Sequence, residues 1–174
     1  LLVDTGSSLS NERTSHGDIR ADAAAKNDLI LKSYDQFTVD IVNVSAFDLA
    51  HVANLLTRER WTSADPASVT RRLISANISA DSTNLIAPPP FIVREVSATG
   101  PNSKSIKVAF IGLAETNPTA PRGFRLIDPV ETVKRVIPKA RQVADVVVVL
   151  AHGKMEEIIL IARAALGADV VIAG

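Results

Sequence analysis

The stretch from residue 128 to residue 174, "DPVETVKRVIPKARQVADVVVVLAHGKMEEIILIARAALGADVVIAG", decides the fold. Asp128 is placed to cap a helix, Pro129 sits at its first position, and Glu131 three residues on completes a capping box. Pro138 predicts a kink in that helix. The run "DVVVVLAH" then reads as a strand, "KMEEIILIARAALG" as a helix closed by Gly167, and "ADVVIAG" as a further strand. Strands with no polar alternation, joined by helices, indicate a sheet covered on both faces.

Upstream, the same alternation continues. An alanine-rich helix is expected over 18–34 and a β-branched strand over "FTVDIVNV", 37–44. A helix is expected from Ala46 or Phe47 through Trp61, then a capped turn over "SADPASVTRRL", 63–73. "LISANI", 73–78, reads as a short strand. Pro88 to Pro90 keep the loop before Phe91 out of any central strand. "FIVREV" and "IKVAFIGLA", joined by a polar link, read as a hairpin, so the sheet is mixed. The segment 115–124 reads as irregular.

The bulk numbers narrow the function classes. A chain of 174 residues, 47 % of them apolar, suits one domain with a real core, here 1–174. Lysine and arginine number 19, matching 19 aspartates and glutamates, so no basic excess points to nucleic acid. Cysteine is absent, which removes disulfides, zinc–thiolate sites and iron–sulfur clusters from this stretch. No run approaches the roughly 20 apolar residues of a membrane span. The chain opens and closes as though inside strands and reads as a fragment of a longer protein, truncated at both ends.

In open α/β sheets, ligands gather at the C-terminal ends of strands. That rule selects Asp4 to Ser8, Asn43 to Asp48, Ala76-Asn77 and His152-Gly153. Each has a structural alternative. Asp4 can brace a turn, Asn77 can fix a loop through backbone bonds, Asp48 can accept N–H bonds in the first turn of its helix, and His152 can face water. His16 and His51 read as ordinary loop and helix residues. Arg71-Arg72 and Arg122 to Arg125 are candidate phosphate-binding clusters but read better as solvated surface charge. Neither GxGxxG nor GxxxxGK[ST] is present, and no GxSxG elbow. "DTGSS" matches the DTG of aspartic proteases, but that family needs a β-rich chain.

Taken in order, "LLVDTGSSLS", "YDQFTVDIVNVSAFDLAHV", "LISANI", "IKVAFIGLAE" and the 128–174 stretch resemble the calcineurin-like metallophosphoesterases, specifically the N-terminal domain of bacterial 5′-nucleotidases. The resemblance implies a four-layer α/β/β/α sandwich with mixed sheets. In active members two divalent metals, Zn, Mn or Fe, sit at the strand ends on Asp, His and Asn side chains and activate water against a phosphoester. It also implies export and, for an active member, a nucleotide substrate.

Carried over residue by residue, the motifs are damaged. Ser7 stands where the metal-bridging aspartate is expected in "DTGS". Ser45-Ala46-Phe47-Asp48 align with the family's GNHE, so Ala46 replaces the metal-binding Asn and Phe47 the catalytic His. Asn43 lies three residues too early to substitute. His152 in "LAH" alone matches a metal-ligand position. The expectation is therefore a degenerate domain, with other domains of a longer chain or a protein as partner and possible loss of the metal cofactor. The alternative is an active phosphomonoesterase with ligands outside this segment.

Overall fold

The side chains of Val146–Ala151 point alternately into two different cores, and the layers follow from that. The computed structural model describes residues 1–9, 12, 15, 20–97, 104–116 and 120–174. Its strands are β1 (Val3–Asp4), β2 (Ile41–Asn43), β3 (Leu73–Ile74), β4 (Ile78–Ala80), β5 (Phe91–Ser97), β6 (Ser105–Leu113), β7 (Phe124–Leu126), β8 (Val146–Ala151) and β9 (Val170–Ala173). Its helices are α1 (Ala21–Gln36), α2 (Ala46–Val52), α3 (Arg58–Ser63), α4 (Pro129–Arg141) and α5 (Met155–Ala164).

Among the described residues the strands form three sheets. β1, β2 and β3 lie parallel in that order. The four-stranded sheet runs β5-β6-β8-β9, with β5 antiparallel to β6 and the other pairs parallel. β4 and β7 form a small antiparallel pair. Mixed pairing and the β5–β6 hairpin agree with the sequence reading.

Period-two alternation assigns the faces. From β6 and β8, Ala109, Ile111, Leu113, Val147, Val149 and Ala151 pack with α4 and α5. The residues between them, Val108, Phe110, Val148 and Leu150, pack instead against Ile41 of β2 and Ile74 of β3. On the far side of that second sheet, Val42 and Leu73 meet Leu49 and Val52 of α2, flanked by Ile30, Leu31 and Tyr34 of α1. The order is helices, sheet, sheet, helices: a four-layer α/β/β/α sandwich.

Local chemistry explains the helices that build it. Asp128 accepts the Glu131 N–H at 2.9 Å and Pro129 starts α4. Glu131 does not close a capping box; its carboxylate pairs with Lys134 at 2.7 Å. α4 passes Pro138 and ends at Arg141, burying Val133, Val136, Ile137 and Ala140 at helical spacing. Gly167, at φ +93, reverses the chain after α5, a backbone state that glycine adopts without penalty.

Several boundaries differ from the sequence reading. The helix expected over 46–61 splits, because the chain at 56–58 bonds sideways to 84–86. Ile86 N–H donates to Leu56 O and Arg58 N–H to Asn84 O, both at 2.8 Å, and Thr57 then caps α3. The strand expected over 37–44 shortens to β2, as Phe37 and Thr38 close α1. "LISANI" is not one strand. After β3 it leaves the parallel sheet, and β4 pairs with β7, a strand that starts at Phe124, the last residue of the segment read as irregular.

Ile111 is fully buried between β6 and α4. Ile111→Ala should destabilise the domain by about 2–5 kcal/mol, since the packed layers on both sides cannot close the cavity. Urea unfolding with an unchanged slope would measure it.

Candidate functional site

All strands that matter point their C-terminal ends at one region, where loops 5–9, 44–48, 75–77, 114–116 and 152–154 meet. Asp48 organises the first two. Ser45 caps α2, its hydroxyl accepting the Asp48 N–H at 3.2 Å, while the Asp48 carboxylate accepts the Ser45 N–H at 3.1 Å and hydroxyl at 2.7 Å. The same carboxylate accepts the N–H of Ser7 at 2.6 Å and of Leu9 at 3.0 Å. Ser7 is held at φ +61, a left-handed state unusual for serine. Burial pushes the Asp48 carboxyl above its ordinary value; the Ser45 hydroxyl and the three N–H bonds oppose that shift without cancelling it.

Asp4 serves its own loop. One oxygen accepts the Gly6 N–H at 2.9 Å and the other accepts the Tyr34 hydroxyl at 2.6 Å. Burial, together with that bond to Asp4, raises the Tyr34 hydroxyl well above the usual range.

Asn43 and Asn77 tie strand ends together. The Asn43 amide donates to Thr5 O at 2.8 Å and Leu113 O at 2.9 Å. Asn77 donates to Ala114 O and Ile127 O and accepts the Ala114 N–H, all within 2.8–2.9 Å. Asn43 packs so closely on β6 that a Cβ at Gly112 would lie 2.4 Å from its Oδ1.

His152 ends β8 against Glu115, the residue two past β6. The imidazole Nδ1 lies 3.4 Å from Glu115 Oε2, which also accepts the Ala46 N–H at 3.2 Å. Glu115 is only 4 % exposed. Among the described residues its Oε1 and His152 Nδ1 have no hydrogen-bond partner. The two residues line a cavity of about 660 Å³, with Phe47, Glu157 and Leu160. Glu157 accepts the N–H and hydroxyl of Thr116 at 3.3 and 2.9 Å.

The structure thus places Phe47 and His152 on one cavity, brings Ser7 and Asp48 into direct contact, and puts the Ala46 N–H on Glu115. Asp4, Asn43 and Asn77 are held in backbone and tyrosine bonds around it. Glu115 was missed by the sequence reading, although the strand-tip rule applied to "IKVAFIGLAE" reaches it. As a donor set for a divalent pair these residues fit poorly. His152 and Glu115 offer one nitrogen and one carboxylate, and no group of three or more metal-capable His, Asp or Glu side chains occurs among the described residues.

The other candidates resolve differently. Arg72 is not surface charge. It is 5 % exposed and donates to Tyr34 O, Val39 O, Ala67 O and the Asp35 carboxylate, fastening the end of α1. Arg71 stacks over Trp61 at 5.3 Å and Arg125 pairs with Asp81. His51 meets Asn27 of α1. His16 and residues 117–119 lie outside the described residues.

Neither a family model nor a curated protein sequence matches the chain. Solved structures do match in fold. The 5′-nucleotidase precursor of Thermus thermophilus aligns with all of this chain and 32 % of its own, at 17 % identity and TM-score 0.68. The sulfate thiohydrolase SoxB of the same organism aligns over 100 % and 30 %, at 19 % identity and TM-score 0.64. The calcineurin-like phosphoesterase YfkN of Bacillus subtilis aligns over 99 % and 69 %, at 16 % identity and TM-score 0.54. The fold is the metallophosphoesterase fold in the form seen in 5′-nucleotidases, and the chain spans about a third of the first two proteins.

A carboxyl raised by the fold holds its proton more tightly folded than unfolded. Asp48 therefore favours the fold most below the ordinary value of 3.8, and that advantage is lost as pH rises through the native value. Asp48→Asn should flatten this part of the profile. Urea midpoints taken stepwise upward from 3.8 should fall more steeply for the parent than for the variant.

Proposed function

We propose that this chain is a 5′-nucleotidase-like metallophosphoesterase domain with a degenerate site. It serves as a non-catalytic scaffold or interaction module within a larger exported bacterial protein. The observation that carries the reading is the state of the strand tips. Ser7 supplies an N–H to Asp48 where the fold's hydrolytic members need a bridging carboxylate. Ala46 and Phe47 offer no ligand atom on their side chains. Asp48 is committed to four internal donors. Two adjacent divalent cations would find no bridging carboxylate at Ser7 and no side-chain ligand at Ala46 or Phe47 to offset their desolvation. Export and a larger parent chain rest on likeness of fold alone, to neighbours that include a nucleotidase precursor. No helix among the described residues is long and apolar enough to cross a membrane.

One observation favours a second reading. His152 and Glu115 converge on an open cavity of about 660 Å³ at the strand ends. Completed by ligands from outside this segment, that corner would suit a metal-dependent phosphomonoesterase acting on nucleotides. Zn, Mn or Fe would sit on His152 and supply an activated water there.

Elemental analysis of the full-length protein, with turnover of a model phosphate ester in the same sample, separates the two. The proposal expects far less than one equivalent of Zn, Mn or Fe and no turnover after any of them is added. About two metals per chain with turnover, as two-metal phosphoesterases show, would overturn it.

A further inference from the structure

The strand-tip cavity has the wrong charge for a phosphate and a suitable one for an organic cation. Its lining carries three carboxylates, Glu115, Glu156 and Glu157, against Lys154 and His152. With the imidazole neutral or protonated, the balance stays negative. The lining surface is largely apolar, and Phe47 and Leu160 are the apolar side chains on it. A volume of about 660 Å³ suits a small molecule.

A second observation points to a ligand. Glu115 is 4 % exposed and lines this cavity, and its Oε1 has no hydrogen-bond partner among the described residues. The Ala46 N–H and His152 both address the other oxygen. No lysine or arginine among the described residues pairs with this buried carboxylate, and a cation held in the cavity beside it would offset its charge. Phe47 adds an aromatic face, which attracts a desolvated cation.

We propose that this cavity binds an organic monocation, a primary ammonium carried on an aryl or alkyl body. The ammonium sits among Glu115, Glu156 and Glu157, and the apolar body lies against Phe47 and Leu160. The inference rests on the reading of this corner as free of divalent metal in the working protein. It gives that non-catalytic domain a ligand class opposite in charge to a phosphoester.

The test is calorimetric titration of the full chain in EDTA with benzylamine, benzyl alcohol, benzoate and inorganic phosphate. Benzylamine should saturate one site and bind about tenfold more tightly than benzyl alcohol. Benzoate and phosphate should give no binding. Phe47→Leu keeps an apolar side chain but removes the ring, and should weaken benzylamine about threefold to tenfold. Glu156→Gln, at an exposed position that should not disturb folding, should weaken it about twofold to threefold. Benzoate or phosphate binding as tightly as benzylamine would overturn the inference. So would benzylamine affinity unchanged in both variants. Turnover of a phosphate ester with added Mn overturns the non-catalytic reading and this inference with it. No turnover and no benzylamine binding overturns this inference alone.

Discussion

Burial of β6 and β8 on both faces is the constraint on which the rest depends. A strand with one helix layer below and a second sheet above has no solvated side on which to place a polar group. Polar chemistry is pushed to the strand ends, and there the backbone itself makes the first demand. The last carbonyls of each strand have lost their ladder partners and are too buried to reach water freely. Asn43 and Asn77 answer that demand. Between them they donate to Thr5, Leu113, Ala114 and Ile127. The same ends that make the fold a natural place for catalysis therefore need polar side chains merely to remain folded.

That competition shapes the electrostatics of the corner. Two buried carboxylates, Asp48 and Glu115, stand at the start of α2, and each is held by donors from the protein. Asp48 binds N–H groups of the 5–9 loop and closes a capping box with Ser45. Glu115 takes the Ala46 N–H and lies beside His152. In a cation-loaded site such charges would face the metal. Here much of their field is directed into peptide dipoles and one imidazole. The cavity left over is acidic and greasy together, with Phe47 and Leu160 on its wall.

Much of the architecture was legible in the residues, for a reason that the layers make plain. The runs 106–113 and 146–151 are apolar without interruption, and only a sheet covered twice tolerates that. Asp128, Pro129 and Gly167 mark helix ends through local chemistry that needs no tertiary partner. What could not be read depends on contacts distant in sequence. The break between α2 and α3 comes from pairing with residues 84–86, and β7 exists because β4 leaves the parallel sheet to meet it. At the site, His152 was visible because it ends a conspicuous valine run. Arg72 looked like surface charge because nothing local shows that the end of α1 closes over it. Glu115 was hidden behind Ala114, two residues past its strand, where attention to histidine and aspartate motifs does not reach.

The unpaired atoms close the argument. Among the described residues, Asn43 Oδ1, Glu115 Oε1 and His152 Nδ1 are all buried at strand ends without a hydrogen-bond partner. Each such atom is unfavourable by about 1–3 kcal/mol relative to a satisfied one. Arg72 Nε, Ser75 Oγ and Thr132 Oγ1 share that state, whereas Asn77 makes three bonds. Asn43 Oδ1 faces Gly112, where a side chain would collide with it, so its isolation follows from the close packing of β2 on β6. Glu115 and His152 line the cavity, and their unpartnered atoms are turned away from solvent beside it. The acid and the base stand beside each other at the cavity wall, and the imidazole is a polar neighbour of the carboxylate oxygen that also takes the Ala46 N–H.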